Sequence, residues 1–173
     1  MTEGAYYGKY RATVLNNVDP EFRGRIQMTC PDVAGLLPTS WAEACAPLSG
    51  LPPMGVYLVP PIGAAVWAEF EKGDIERPIW TGCRWASKSD VPTDATIGLP
   101  VSPNIVVQTL AQHALILSDM PPTPVTGGIM LRSTTKAMIV VNDSGIYIDN
   151  GKGASIQLVG PSVMINKTAL VVT

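Results

Sequence analysis

From Gly128 to Thr173 apolar residues recur in pairs with a single residue between the two members: Ile129/Leu131, Met138/Val140, Ile146/Ile148, Ile156/Leu158, Val163/Ile165 and Leu170/Val172. Turns rich in Gly, Asn and Asp separate the pairs. A period of two predicts strands with one buried face, and the intervening turn residues break every helical run. Each strand is short, and the next begins roughly seven to ten residues later. The tail therefore reads as a string of strands with one apolar face, and its role depends on what covers that face.

The same period, less regular, runs through the first half of the chain. Strands are predicted over Tyr6–Leu15, Gly24–Cys30, Trp41–Ala46, Ala64–Glu71 and Pro78–Trp85. Val66, Ala68 and Phe70 alternate against Trp67 and Glu69 in the fourth. The stretch from Pro47 to Gly63 reads as an irregular loop with an extended piece at Val56–Val59. Five strands in so short a span suit a small closed barrel, which leaves no open edge. Residues 87–104, rich in Pro, Ser, Thr and Asp, read as a linker or strap between residues 5–86 and 105–173. The two-residue period returns at Ile105/Val107 and Leu115/Leu117. The fold class is thus all-β: an N-terminal five-stranded barrel followed by a strand-rich tail.

One copy of the tail has little with which to bury its own apolar side chains, and unpaired strand edges invite another chain. Two arrangements satisfy the pattern. Copies of the tail wind together into a prism, most simply a trimer, or the tail is an antiparallel meander packed on the preceding domain. In the trimer the core consists of the six pairs named above. Within Met138–Val141 every position is apolar, so alternation does not set which side faces inward, and a one-residue slip costs little.

Composition narrows the function classes. The chain has 46% hydrophobic and 15% charged residues, so it is not a disordered chain. A net charge of −2 opposes a general nucleic-acid binder, which needs a basic footprint. The N-terminus has no long apolar core of the secretory type, and no run is long enough to span a membrane as a helix. The chain is therefore expected to be made in the cytoplasm. Cys30, Cys45 and Cys83 lack metal-type spacing and are expected to be buried free thiols.

Candidate chemistry is sparse. His113 stands near Asp119, but no nucleophile elbow accompanies it. Glu69, Glu71, Asp74 and Glu76 read more simply as a solvated face and loop than as a metal or acid–base cluster. No catalytic residue, metal or cofactor is expected. Tyr6, Tyr7, Lys9, Tyr10, Arg11, Arg23 and Arg25 form an aromatic and basic neighbourhood. Barrels of this class can stack single-stranded nucleic acid or sugars on such groups, and the same residue types are enriched where proteins dock.

Several motifs resemble one family. GKYRATVLNNVDPEFRGRIQMTCPDV, SWAEACAPLSG and above all PxxGxxVWxEFExGDxxxPxxTG over Pro60–Gly82 are similar to the OB barrel of contractile-tail spikes. That group includes phage baseplate assembly protein V and the Vgr spike of type VI secretion. GIYIDNGKGASIQLVGPSVMINKTALVV, ending in Asn166, Ala169, Leu170 and Val172, resembles the β-prism needle that follows the barrel. The resemblance implies a homotrimer that is a non-enzymatic part of a phage tail or tail-like particle, extracellular once released. Its partners would be the baseplate hub and tube, a separate tip protein of the PAAR type, and effector cargo, with transient contact with a target membrane and no nucleic acid. Tyr6, Tyr7, Lys9, Tyr10, Arg11, Arg23 and Arg25 are then hub-docking candidates. The stretch 86–104 is too short to hold the lysozyme domain of some relatives, and the His-x-His iron motif of self-sharpened spikes is absent.

Overall fold

The alternation in the first half is realised as short strands that curl back on themselves. The structure, a computed structural model, describes residues 5–50, 54–167 and 169–172, and the chain divides into two compact units between Ala86 and Ser87. The first unit contains β1 (Tyr10–Asn16), β2 (Gln27–Thr29), the one-turn helix α1 (Pro31–Ala34) and β3 (Glu43–Ala44). A small hairpin of β4 (Ser49–Gly50) and β5 (Met54–Gly55) precedes β6 (Ala65–Phe70) and β7 (Pro78–Cys83). The sheet order is β2-β1-β6-β7-β3, with β3 parallel to β7. Between β2 and β3 the backbones of Ile26 and Ala42 exchange both hydrogen bonds, at 3.2 and 2.7 Å. That bridge closes the curled sheet into a five-stranded OB barrel.

Alternation decides the barrel's interior. Val66, Ala68 and Phe70 of β6 point inward. They meet Ala12 and Val14 of β1, Ile26, Met28 and Cys30 around β2, Ala42 and Trp80. The Trp80 indole has one polar atom to satisfy, and Nε1 donates to the Gly24 carbonyl at 3.0 Å. Regular strands are shorter than the sequence pattern predicts. Tyr6 donates its N–H to the Gly73 carbonyl instead of joining β1, and only Glu43–Ala44 of the 41–46 stretch runs beside β7. Residues 56–59 lie outside any strand.

The loop after β1 is organised by one carboxylate. The Asp19 side chain is 2% exposed and its carboxylate receives Arg25 Nε and Nη2 at 3.1 and 2.7 Å. It also accepts the N–H groups of Glu21, Arg23 and Arg25. The Arg25 guanidinium, helped by these N–H groups and opposed by burial, holds the Asp19 carboxyl well below the usual carboxylate range. A carboxyl depressed in the folded state contributes stability above its unfolded pKa and loses it as pH falls through the folded one. The barrel should therefore be destabilised progressively on acidification below about pH 4. Asp19→Asn should melt lower than wild type at pH 7, and the gap between their melting curves should shrink towards pH 2. A gap independent of pH would show that the carboxylate charge is not what holds the loop.

In the second unit the chain runs up and down through β8 (Ile105–Gln108), β9 (Ala114–Thr123), β10 (Thr126–Arg132) and β11 (Met138–Asn142). It continues through β12 (Gly145–Asp149), β13 (Ser155–Val159), β14 (Ser162–Ile165) and β15 (Leu170–Val172). Each strand lies antiparallel to the next. The stretch read as a linker contributes to this unit. Within it, α2 (Thr93–Thr96) brings Asp94 to Arg132, whose Nη1 donates at 3.0 Å. Asn104 Nδ2 in turn donates to the Asp94 carbonyl at 2.7 Å. Asn142 ties two turns together: its Nδ2 donates to the carbonyls of Thr123 and Thr126, and its Oδ1 accepts from Ser144.

Candidate functional site: an apolar sheet face

Strand register converts the alternating pattern into two continuous rows. The first runs Ile105, Leu117, Ile129, Val141, Ile146, Leu158, Val163 and Val172, each the cross-strand partner of the next. The second runs Val107, Leu115, Leu131, Ile139, Ile148, Ile156, Ile165 and Leu170. All of them are Val, Ile or Leu, and every one is exposed, from 37% at Val163 to 64% at Ile105. Scattered exposed leucines are ordinary, but a contiguous apolar face of this kind marks an interaction surface.

The opposite face is different in kind. Ile116 and Val140 are fully buried there, with Tyr147 nearly so. Val125, from the β9–β10 turn, lines a cavity of about 300 Å³ together with Ile116, Met130 and Val140. Tyr147 closes its own side by an Oη contact with Ser144 at 2.9 Å. One side of the sheet is thus covered by the chain itself, and the other is left bare.

This register corrects the expected trimer core at one strand. Ile129, Leu131, Ile146, Ile148, Ile156, Leu158, Val163, Ile165, Leu170 and Val172 share the bare face. Met138 and Val140 do not: they pair with Arg132 and Met130 on one side and with Asp149 and Tyr147 on the other. Ile139 and Val141 take their places. β11 is apolar at every position from Met138 to Val141, so its facing is set from outside, by the Asn142↔Gly145 pair of the tight turn to β12. Gly145 fits there because its backbone comes so close to the Leu158 carbonyl that a Cβ would lie 2.4 Å from it. Ile105, Val107, Leu115 and Leu117, whose alternation is visible in the sequence, extend the same face.

The barrel residues singled out as docking candidates fall into two groups. Tyr6 and Tyr10 pack tilted and edge-on against Phe70, with ring centroids 5.9 and 5.7 Å from it, and Arg25 is committed to Asp19. These three hold the barrel together. Tyr7 is 71% exposed and Arg11 is exposed on β1. Lys9 is exposed but bonded to Glu69 at 2.8 Å. Arg23 reaches Glu43 at 3.0 Å and Glu21 at 3.3 Å.

Candidate chemistry elsewhere is accounted for by local pairing. Glu71 and Asp74 both face Arg77, and Glu76 accepts from Ser40 at 3.1 Å. Among the described residues no group of three His, Cys, Asp or Glu side chains could hold a metal ion. His113 Nε2 lies 3.4 Å from the Thr134 hydroxyl, and Asp119 accepts from Ser102. Of the cysteines only Cys30 is buried; Cys45 and Cys83 are exposed free thiols. Both correct the sequence reading: Cys45 follows the end of β3, and Cys83 ends β7 beyond a break in its register with β6. Burial nevertheless pushes the Cys30 and Cys83 thiols up. A groove of about 440 Å³ beside Cys45 and Cys83 is lined by Tyr57, Leu58, Val59 and Trp80, with Arg23 as its cation.

Two family models match the chain. Residues 10–85 match the type VI secretion system/phage-baseplate injector OB domain. Residues 104–171 match the phage baseplate V C-terminal trimerisation domain. No curated protein matches the chain.

Proposed function

This chain belongs to the phage baseplate V family, and on that premise we propose that it is the structural central spike of a contractile injection machine. In this reading three copies join through the second unit, and the assembly caps the tube, docks on the hub and supports or forms the needle. The observation that carries it is the double row of Val, Ile and Leu left bare by the fold. Covering the rest of each side chain stabilises the assembly by roughly 1 kcal/mol per residue. Two further copies supply an equally apolar cover with the same register. Cyclic symmetry also adapts a ring-shaped tube to a single point.

Tyr7, Lys9, Arg11 and Arg23 remain as the hub-facing set, since their side chains are exposed. A tip protein of the PAAR type, effector cargo and transient contact with a target membrane complete the proposal. No step requires catalysis. The alternative, a ligand-binding OB module for single-stranded nucleic acid or glycan, is opposed by charge pairing: Lys9, Arg23, Arg25 and Arg77 each face a carboxylate of the same barrel. A phosphate backbone would have to compete for them.

The purified chain should sediment as a trimer and co-purify with tube and hub subunits when expressed with them. A stable monomer at micromolar concentration would overturn the spike reading. A salt-dependent mobility shift with single-stranded DNA would favour the ligand-binding module instead.

A further inference from the structure

The bare face has two borders, and they are chemically different. Beyond the second row, the ladder continues through Thr109, His113, Ser133, Ala137, Asn150 and Ala154: Thr109 N–H donates to the His113 carbonyl, Ser133 to Ala137 and Asn150 to Ala154. His113 is the single histidine of the chain, it is exposed, and its phase puts it on the bare face two residues from Leu115. Beside it the face sinks into an open hollow of about 590 Å³ lined by Leu115, Leu131, Ile139 and Ile148. Beyond the first row, the alternation of β9 puts Asp119, also exposed, on the same face two residues from Leu117. The turn carrying Asp143 stands at that border too. One border thus carries the His113 imidazole among polar groups, the other the carboxylates of Asp119 and Asp143.

Cyclic threefold symmetry makes every subunit contact head-to-tail. A border cannot meet its own equivalent; each must meet the opposite border of the next copy. Symmetry also puts equivalent atoms at equal height along the axis. A strand running across that axis therefore brings its end in one copy to the level of its start in the next. His113, one residue before β9, and Asp119 within it flank Leu115 and Leu117 on this face.

Resting on the trimeric reading above, we propose that His113 of each copy pairs with Asp119 of the next. The first-row side chains Leu117 and Ile129 of that neighbour fill the hollow beside His113. The partner is a second copy of this chain, and the pair sets the direction in which the three faces close. An imidazole set against a carboxylate across a contact also discriminates against the reversed, like-to-like approach of two copies.

A charge exchange on the full-length chain tests this. The urea midpoint for trimer dissociation, followed by sedimentation at pH 6, is compared among four proteins. His113→Asp should lower the midpoint clearly, since it sets two carboxylates together three times per trimer. Adding Asp119→His to that variant should restore most of the loss. Ser102→Ala, which removes only the hydroxyl that bonds Asp119 within its own chain, should leave the midpoint near wild type and so separates that contact from the one between copies. If wild type is a trimer but the exchange gives no recovery, the His113–Asp119 pair is wrong and the trimer stands. If wild type sediments as a monomer, the trimeric reading itself is lost.

Discussion

Ile148→Asp abolishes the trimer and leaves the barrel folded: this is the largest effect expected of any single substitution on the bare face. Ile148 lies in the middle of the second row, between Ile139 and Ile156, on the surface proposed as the subunit interface. An uncompensated carboxylate there costs roughly 3 kcal/mol or more in each copy, and threefold symmetry presents it three times. In the single chain the position is 40% exposed, so the charge remains hydrated before assembly. Ile156→Asp should behave in the same way. All four tryptophans, Trp41, Trp67, Trp80 and Trp85, lie in the first unit, so tryptophan fluorescence reports the barrel while sedimentation reports assembly. The two readouts should separate. A trimer that survives in both variants would show that the bare face is not the subunit interface. Ile139→Asp and Val140→Asp sharpen the assignment at β11: the first should block assembly only, the second should unfold the sheet within each chain, because Val140 is fully buried there.

Gly128→Ala should damage the second unit before any subunit meets another. Gly128 has φ +75, and a Cβ on it would lie 2.2 Å from the Val141 carbonyl oxygen and 2.6 Å from Asn142 Cβ. The first neighbour is backbone and cannot turn aside. An alanine there bears the left-handed strain of an L residue and also forces β10 away from β11, where Ile129 pairs with Val141. A loss of roughly 3 kcal/mol or more is expected. It should be read as earlier hydrogen exchange or proteolysis within β9–β12, with the tryptophan signal of the barrel unchanged. A fully stable Gly128→Ala protein would mean that the β10–β11 register is softer than its geometry.

Much of the architecture is legible in one dimension. Val66, Ala68 and Phe70 alternate against Trp67 and Glu69, and that phase alone places them inside a sheet. The apolar pairs from Ile129 to Val172 name their own common side for the same reason: a two-residue period fixes relative facing along a strand without reference to anything else. Five pairs, ten residues, fall together on the bare face. The barrel motif around Gly73-Asp74 and Pro78 also carries its local geometry with it, since a positive φ at Gly73 and a proline at the start of β7 are local requirements.

Where the period is lost, so is the assignment. Met138–Val141 is apolar at each position, and its facing is decided by the turn to Gly145 and by pairing with Leu131 and Ile148, contacts that no local pattern encodes. Asp19, followed by Pro20, carries turn chemistry and nothing more in one dimension. Its role depends on the barrel bringing the Arg25 guanidinium and three N–H groups onto one carboxylate. Arg25, Tyr6 and Tyr10 look in sequence like parts of a docking face, yet their side chains are spent inside the barrel. Cys45 and Cys83 read as buried and are exposed.

The sequence by itself determined that this protein is two runs of alternating strands, the second with one continuous apolar side. Alternation is a property of neighbours along the chain, so it survives without a fold. Tertiary structure decided which apolar side the chain covers for itself and which it leaves bare. That choice depends on strand register and on the β9–β10 turn, whose Val125 lines one cavity with Ile116 and Val140, both set by contacts between residues far apart in sequence.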